Sequence, residues 1–283
     1  MSMSRVVMGE TEQQERLVLL RDIASEIRIS IVNTIAGPRM GHIGGDLSVT
    51  DILVTLFFGV MRYRAAEPDW DGRDRFILSK GHCSAALYSV LARAGYFEPE
   101  LLSQFMAPLS PLNGHPNRRK VKGVEANTGP LGHGLPIGVG CAIGATITGA
   151  DWRTFVVLGD GELQEGSNWE AAMFAGHRHL TGLTAIVDRN RLQQGARTED
   201  TNGLDPLADK WRAFGWDVHE IDGHDHAALL AAFEAPRIGK PRFVIANTTK
   251  GKGVSFIEDR VEWHHKVPSP EQAKLAIEEL AAR

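Results

Sequence analysis

With 283 residues, of which 43% are apolar, the chain is long enough for one large α/β domain or two small ones with a sizeable core. A formal net charge of −4 argues against a nucleic-acid or anionic-membrane footprint. The only cysteines, Cys83 and Cys141, argue against a disulfide framework and for a reducing compartment. No apolar stretch is read as approaching a membrane span and the N-terminus shows no signal-peptide core, so a soluble cytoplasmic protein is the expectation.

Residues 1–12 are polar and are expected to form a frayed tail, leaving residues 13–283 as a single domain. Leu17, Leu20, Ala24, Ile27 and Ile31 recur at three- and four-residue steps, which predicts an amphipathic helix stopping near Gly37-Pro38. A second helix is expected from Val49 to Val60, a buried strand over Phe76-Ile77-Leu78, and a helix over 84–94. The stretch 107–135, rich in Pro, Gly and Asn, reads as a long functional loop, and the small residues of 135–149 as a tightly packed helix. Farther on, helices are expected over 205–214 and 225–233, extended chain over 216–221, and a buried strand over 242–246. A loop over 248–267 and a helix from Pro270 complete the chain.

The centre of the chain is the most informative. Phe155-Val156-Val157-Leu158 runs into Gly159-Asp160-Gly161, and Ile186-Val187 runs into Asp188-Arg189-Asn190, with a helical pattern over 168–175 between them. One βαβ unit places the two strand ends side by side, where open α/β sheets bind ligands. A carboxylate and an amide there offer oxygen ligands suited to Mg²⁺ or Ca²⁺ rather than Zn²⁺. Gly161 permits close backbone approach to an anion at the following helix start. The alternation of strands and helices implies a mostly parallel sheet with helices on both faces.

Gly41-His42, Gly81-His82, Gly114-His115 and Gly132-His133 sit in loops, and His264-His265 lies in the late loop. Imidazoles bind phosphate, hydrogen-bond hydroxyls and move protons near neutral pH. A zinc cluster is the weaker rival, because no Cys/His pair has structural-zinc spacing. His177 and His179 fall on a helix surface, and His219, His224 and His226 read as exposed residues of no catalytic interest. Lys250 and Lys252 suit either a phosphate or sulfonate tail or an exposed loop.

Taken together, several motifs resemble the N-terminal, diphosphate-binding half of transketolase, as found in the first subunit of two-subunit transketolases. They are Gly41-His42-Ile43-Gly44-Gly45, Arg75 to His82, Gly114-His115-Pro116, Thr128 to Gly134, Gly159 to Gly166, Asn190 and Trp263-His264. The resemblance implies the thiamine diphosphate-binding fold, with that coenzyme and Mg²⁺ (or Ca²⁺ or Mn²⁺) as cofactors. Asp160, Asn190 and the Leu192 carbonyl would hold the metal, and Gly129, Leu131, Gly161, Glu162, Asn190 and His82 the cofactor. His42, His82, His115 and His264 would line the substrate channel and assist proton transfers in mixed protonation states. Glu165 would support a relay to a glutamate of a partner.

The implied reaction is reversible transfer of a two-carbon ketol unit from a ketose, as phosphate or analogue, to an aldose. The activating glutamate would come from a separately encoded pyrimidine-binding subunit in an α2β2 assembly, so the chain is expected to be inactive alone. The alternatives are the alpha subunit of a 2-oxo acid dehydrogenase, another enzyme of the same cofactor class, or a non-catalytic module of this fold. Ile43, Asp46, Gln194-Gly195 and His265 (in place of a glycine) depart from the family pattern, and bear on sugar specificity rather than on the cofactor.

Overall fold

The computed structural model describes residues 9–282. In chain order the elements are α1 (Glu10–Ala36), α2 (Ile43–Thr55, continued by a π-turn over Leu56–Val60), β1 (Arg75–Leu78), α3 (Ser84–Arg93), α4 (Gly134–Thr148) and β2 (Thr154–Gly159). Then come α5 (Gly166–His177), β3 (Leu183–Arg189), a hairpin of β4 (Leu192–Gln193) and β5 (Ala196–Arg197), α6 (Thr198–Thr201) and α7 (Leu207–Ala213). The chain closes with β6 (Asp217–Asp222), α8 (His226–Glu234), β7 (Arg242–Asn247) and α9 (Pro270–Ala281).

The five long strands form one parallel sheet in the order β1-β2-β3-β7-β6. Its central strands are buried along nearly their whole length because both faces are covered. On β2, Phe155 and Val157 face a core shared with α1, α2, α3, α8 and α9, while Val156 and Leu158 face a second core shared with α4, α5 and α7. On β7, Val244 and Ala246 face the first core, and Phe243 and Ile245 the second. Gly159 of β2 pairs with Asp188 of β3, and Arg189 pairs with Asn247 of β7. That register brings Asp160 and Asn190 to the same edge of the sheet, as the βαβ reading requires.

Several boundaries differ from expectation. Helix α1 begins at Glu10, inside the stretch read as a tail; residues 1–8 of that stretch lie outside the described residues. Helix α2 starts at Ile43 rather than Val49 because Gly44 and Gly45, poor helix formers, are needed for packing. A Cβ on Gly44 would stand 2.8 Å from the Trp263 carbonyl, and one on Gly45 2.8 Å from the Cys83 sulfur. The window Ile43–Val60 is long and apolar enough to cross a membrane, contrary to the reading of the sequence, but 83% of it is buried inside the fold. It is a core helix. The β4–β5 hairpin and α6 are too short to leave a periodic signal.

Helix α5 meets the chain entering β6 at Gly176, where a Cβ would lie 1.8 Å from the Phe214 carbonyl oxygen. Because the clash is with backbone, Gly176→Ala is expected to destabilise the fold by about 1–3 kcal/mol, read as a lower urea midpoint with unchanged slope. An unchanged midpoint would show that this contact does not hold α5 in place.

Candidate active site

The loops beyond the carboxyl ends of the strands enclose a cavity of about 380 Å³. Its lining includes the residues that the resemblance assigns to metal, cofactor or substrate: His42, His82, His115, His264, Glu165, Gly129, Leu131, Gly161, Glu162, Asp160, Asn190 and Leu192. These come from loops spread over most of the chain and meet only through the sheet. His133 points elsewhere; it is exposed, with Nδ1 3.0 Å from the Leu131 carbonyl.

At one end of the cavity, oxygen ligands converge. Asp160 is buried; Oδ1 accepts from the Gly161 amide (2.8 Å), and Oδ2 from the Arg191 amide (2.5 Å) and the Thr198 hydroxyl (3.2 Å). Burial, and then the charge of Asp188, push its carboxyl up, while Arg189 opposes them from 3.6 Å. Asn190 Oδ1 accepts from the Leu192 amide (3.1 Å), and the Leu192 carbonyl accepts from the Lys250 ammonium (3.0 Å). Lys250 is buried rather than an exposed loop residue, and burial followed by Lys80 pushes it down to about 8. Lys252 does not line the cavity.

Beneath this end lies a group the sequence reading passed over. Lys80, at the tip of β1, is ion-paired with Asp188 and also reaches the Gly45 carbonyl (3.3 Å). Asp188 in turn accepts from the Ser48 hydroxyl (2.6 Å), the Thr248 hydroxyl and the Asn190 amide (3.3 Å). Burial alone would raise the Asp188 carboxyl, but Lys80 and these donors hold it below its ordinary value. Lys80 sits inside the motif Ser79-Lys80-Gly81-His82, so a charged residue next to Gly-His was the available signal.

Glu162 is also buried, and its carboxylate is committed to the scaffold. It accepts from the Ser79 hydroxyl, the Gly132 amide (3.0 Å) and the Gly159 amide (3.0 Å), so three loops are fixed on one side chain. Glu165 is exposed at the rim. Gly129 adopts φ 144°, which favours glycine, and a Cβ there would meet the His115 ring at 2.9 Å. Gln193 Oε1 is buried with no hydrogen-bond partner among the described residues and stands beside Gly161.

The imidazoles gather at the other end. The His42 ring centroid lies 5.2 Å from that of His82 and 5.8 Å from that of His264. His264 Nδ1 is 2.7 Å from the Lys250 nitrogen. Burial first, and then neighbouring imidazoles and lysines, lower His42 to about 4, His264 to about 2, and His82 well below 6.5. Where mixed protonation was expected, these three are neutral at neutral pH, each with one donor and one acceptor nitrogen.

Contrary to the expectation that they are exposed, His224 is half-buried and His226 fully buried, and His219 is half-buried with Nε2 3.0 Å from Asp217. His224 Nδ1 lies 2.6 Å from Asp51, and its Nε2 accepts from the Thr249 amide (2.8 Å), next to Lys250. Asp51 is further paired with Arg28 (2.5 Å), and His226 with Thr55 (2.7 Å). Gly223-His224 carried the same dipeptide signal as the loops that were selected.

Residues 20–268 match the family model described as "Transketolase, thiamine diphosphate binding domain". The chain is 48% identical over 259 residues to one of the subunits of apulose-4-phosphate transketolase from Actinobacillus succinogenes, covering 91% of this chain and 94% of that one. It is 41% identical over 268 residues to 6-deoxy-6-sulfo-D-fructose transketolase subunit SqwG of a Clostridium species, covering 94% and 98%. Among solved structures, transketolase from Campylobacter jejuni superposes with a TM-score of 0.88 at 31% identity, covering 93% of this chain and 43% of that one.

Two measurements probe this site. An unfolded histidine titrates near 6.5, whereas folded His82 titrates far lower, so the unfolded chain alone takes up that proton and stability from this group falls as pH drops below 6.5. Asp46, raised by burial to about 7, acts in the opposite sense over much of the same range. The His82 contribution therefore shows as a difference: from about pH 7 to about pH 5, wild type should lose more unfolding free energy than His82→Gln. Equal losses would count against a neutral His82. His224→Ala, which deletes a partner of a buried carboxylate, is expected to cost about 1.5–3 kcal/mol in urea unfolding, whereas an exposed histidine would cost almost nothing.

Proposed function

Because the chain belongs to the transketolase family, we propose that it is the thiamine diphosphate-binding subunit of a two-chain transketolase, moving a two-carbon ketol unit between sugars. The observation that carries this reading is the convergence of Asp160, Asn190 and the Leu192 carbonyl at one end of a cavity with neutral imidazoles at the other.

The donor set fits a hard divalent cation such as Mg²⁺, all its ligand atoms being oxygen. A cation there would relieve what burial does to the Asp160 carboxyl. Asp160, Asn190 and Leu192 would hold the metal, and the Gly161 N–H and Lys250 the diphosphate. Gly129 and Leu131, backed by Glu162 through the Gly132 amide, would border the rings. When bound, thiamine diphosphate supplies the electron sink for cleaving and forming carbon–carbon bonds next to a carbonyl.

The rest of the work falls to this chain's side chains. Neutral His42, His82 and His264 present paired donor and acceptor nitrogens, which suits the successive hydroxyls of a ketose. His115 packs against Gly129 and borders the same space. Glu165, exposed at the rim, is placed to meet a group brought by a partner subunit. The printed names of the relatives, subunits of transketolases for a sugar phosphate and a sulfo-sugar, support both a separate partner and an anionic ketose as the substrate class.

The test is calorimetric titration with thiamine diphosphate and Mg²⁺ of the chain co-purified with its partner, together with a ketol-transfer assay on phosphorylated and sulfonated ketoses. Loss of a first metal ligand in Asp160→Ala should weaken Mg²⁺-dependent binding by at least the roughly 10–100-fold typical of outer-shell changes. Unaltered binding in Asp160→Ala would move the metal site elsewhere, and full activity from the single chain would refute the need for a partner.

A further inference from the structure

The late loop carries an imidazole that the proposed reaction does not use. His265 is exposed and stands over the cavity mouth, its ring centroid 5.0 Å from that of His42 and 4.5 Å from that of His264. The rings meet edge to face, at 63° and 75°, rather than stacking. One ring nitrogen from each of His42, His264 and His265 lies within 4.8 Å of the other two.

We infer that His42, His264 and His265 form a second metal site at the mouth of the cavity, one that takes a borderline transition-metal ion such as Zn²⁺, Cu²⁺ or Ni²⁺. Three imidazoles and an open fourth position are a recognised zinc ligand set, with metal–nitrogen distances of about 2.0–2.1 Å. Reaching those distances from the present separation requires the rings to close in on one another, and His265, exposed and bonded to no other group among the described residues, has the freedom to do so.

The two ends of the cavity thus differ in ligand chemistry. The carboxylate and carbonyl end suits Mg²⁺ or Ca²⁺, and the imidazole end suits ions farther along the affinity series. Lys250, 2.7 Å from His264, places a positive charge near the imidazole end and limits how tightly a dication is held there. An ion held there would occupy imidazoles that line the same cavity as Asp160 and Asn190.

The experiment is titration of the full chain with Zn²⁺ alone, without thiamine diphosphate or Mg²⁺, so that it stands or falls independently of the proposed reaction. One equivalent of Zn²⁺ should bind, and His265→Ala, a change at an exposed side chain, should weaken binding by at least tenfold. Substituted Co²⁺ should show the intense visible absorption of a tetrahedral site, lost in His265→Ala. Failure to bind one equivalent of Zn²⁺, or binding and Co²⁺ spectra unchanged in His265→Ala, would overturn the assignment.

Discussion

The buried ion pair between Lys80 and Asp188 is the constraint on which the site is built. Lys80 follows β1 and Asp188 closes β3, with β2 lying between them in the sheet, and both side chains are almost wholly withdrawn from water. Through Asp188 the pair reaches Ser48 of α2, Thr248 beyond β7, and Asn190. A buried pair of this kind contributes little net stability over an apolar substitute, but removing one partner leaves a bare charge and costs about 3–5 kcal/mol. Its value here is geometric. It ties the start of one helix and the ends of three strands to a single carboxylate, so the oxygen atoms above it are held in one arrangement before any ligand arrives.

Charge within the cavity follows from the same burial. The upward push that burial gives the Asp160 carboxyl is opposed by Arg189, which is itself held by Glu199 (2.6 Å) and Asp205 (3.3 Å). Lys250 carries a positive charge into the middle of the cavity, against both the Leu192 carbonyl and the His264 ring. Around it the imidazoles lose their protons, because burial and nearby lysines both disfavour the charged form. The cavity therefore sets carboxylate and carbonyl oxygens beside neutral imidazole nitrogens, with the Lys250 ammonium between the Leu192 carbonyl and His264.

Much of this was legible in the residues. The apolar runs ending at Gly159-Asp160 and Asp188-Arg189-Asn190 announced parallel strands, and the register confirms that their tips are neighbours. Gly41-His42 and Gly81-His82 meet because each opens a helix at the same sheet edge, whereas His115 arrives on a long irregular loop. Less legible were the elements without a periodic signal, such as the β4–β5 hairpin that presents Leu192 and Gln193 to the cavity. Helix α2 was read too short because Gly44 and Gly45 look like a loop until Trp263 and Cys83 are seen packed against them. His224 and His226 looked exposed because their burial depends on α1 and α2, far away in the chain.

The order of the long strands and helices, the two strand tips and the chemical types gathered there were written into the linear chain. They depend on local patterns of two to four residues, which need no knowledge of distant neighbours. Which charges are buried, which imidazoles are neutral and which lysine faces the cavity emerged from the folded chain alone. Those properties arise from the field and the loss of water created by residues distant in sequence, as when Lys80 meets Asp188 across the sheet or Arg28 and His224 close on Asp51.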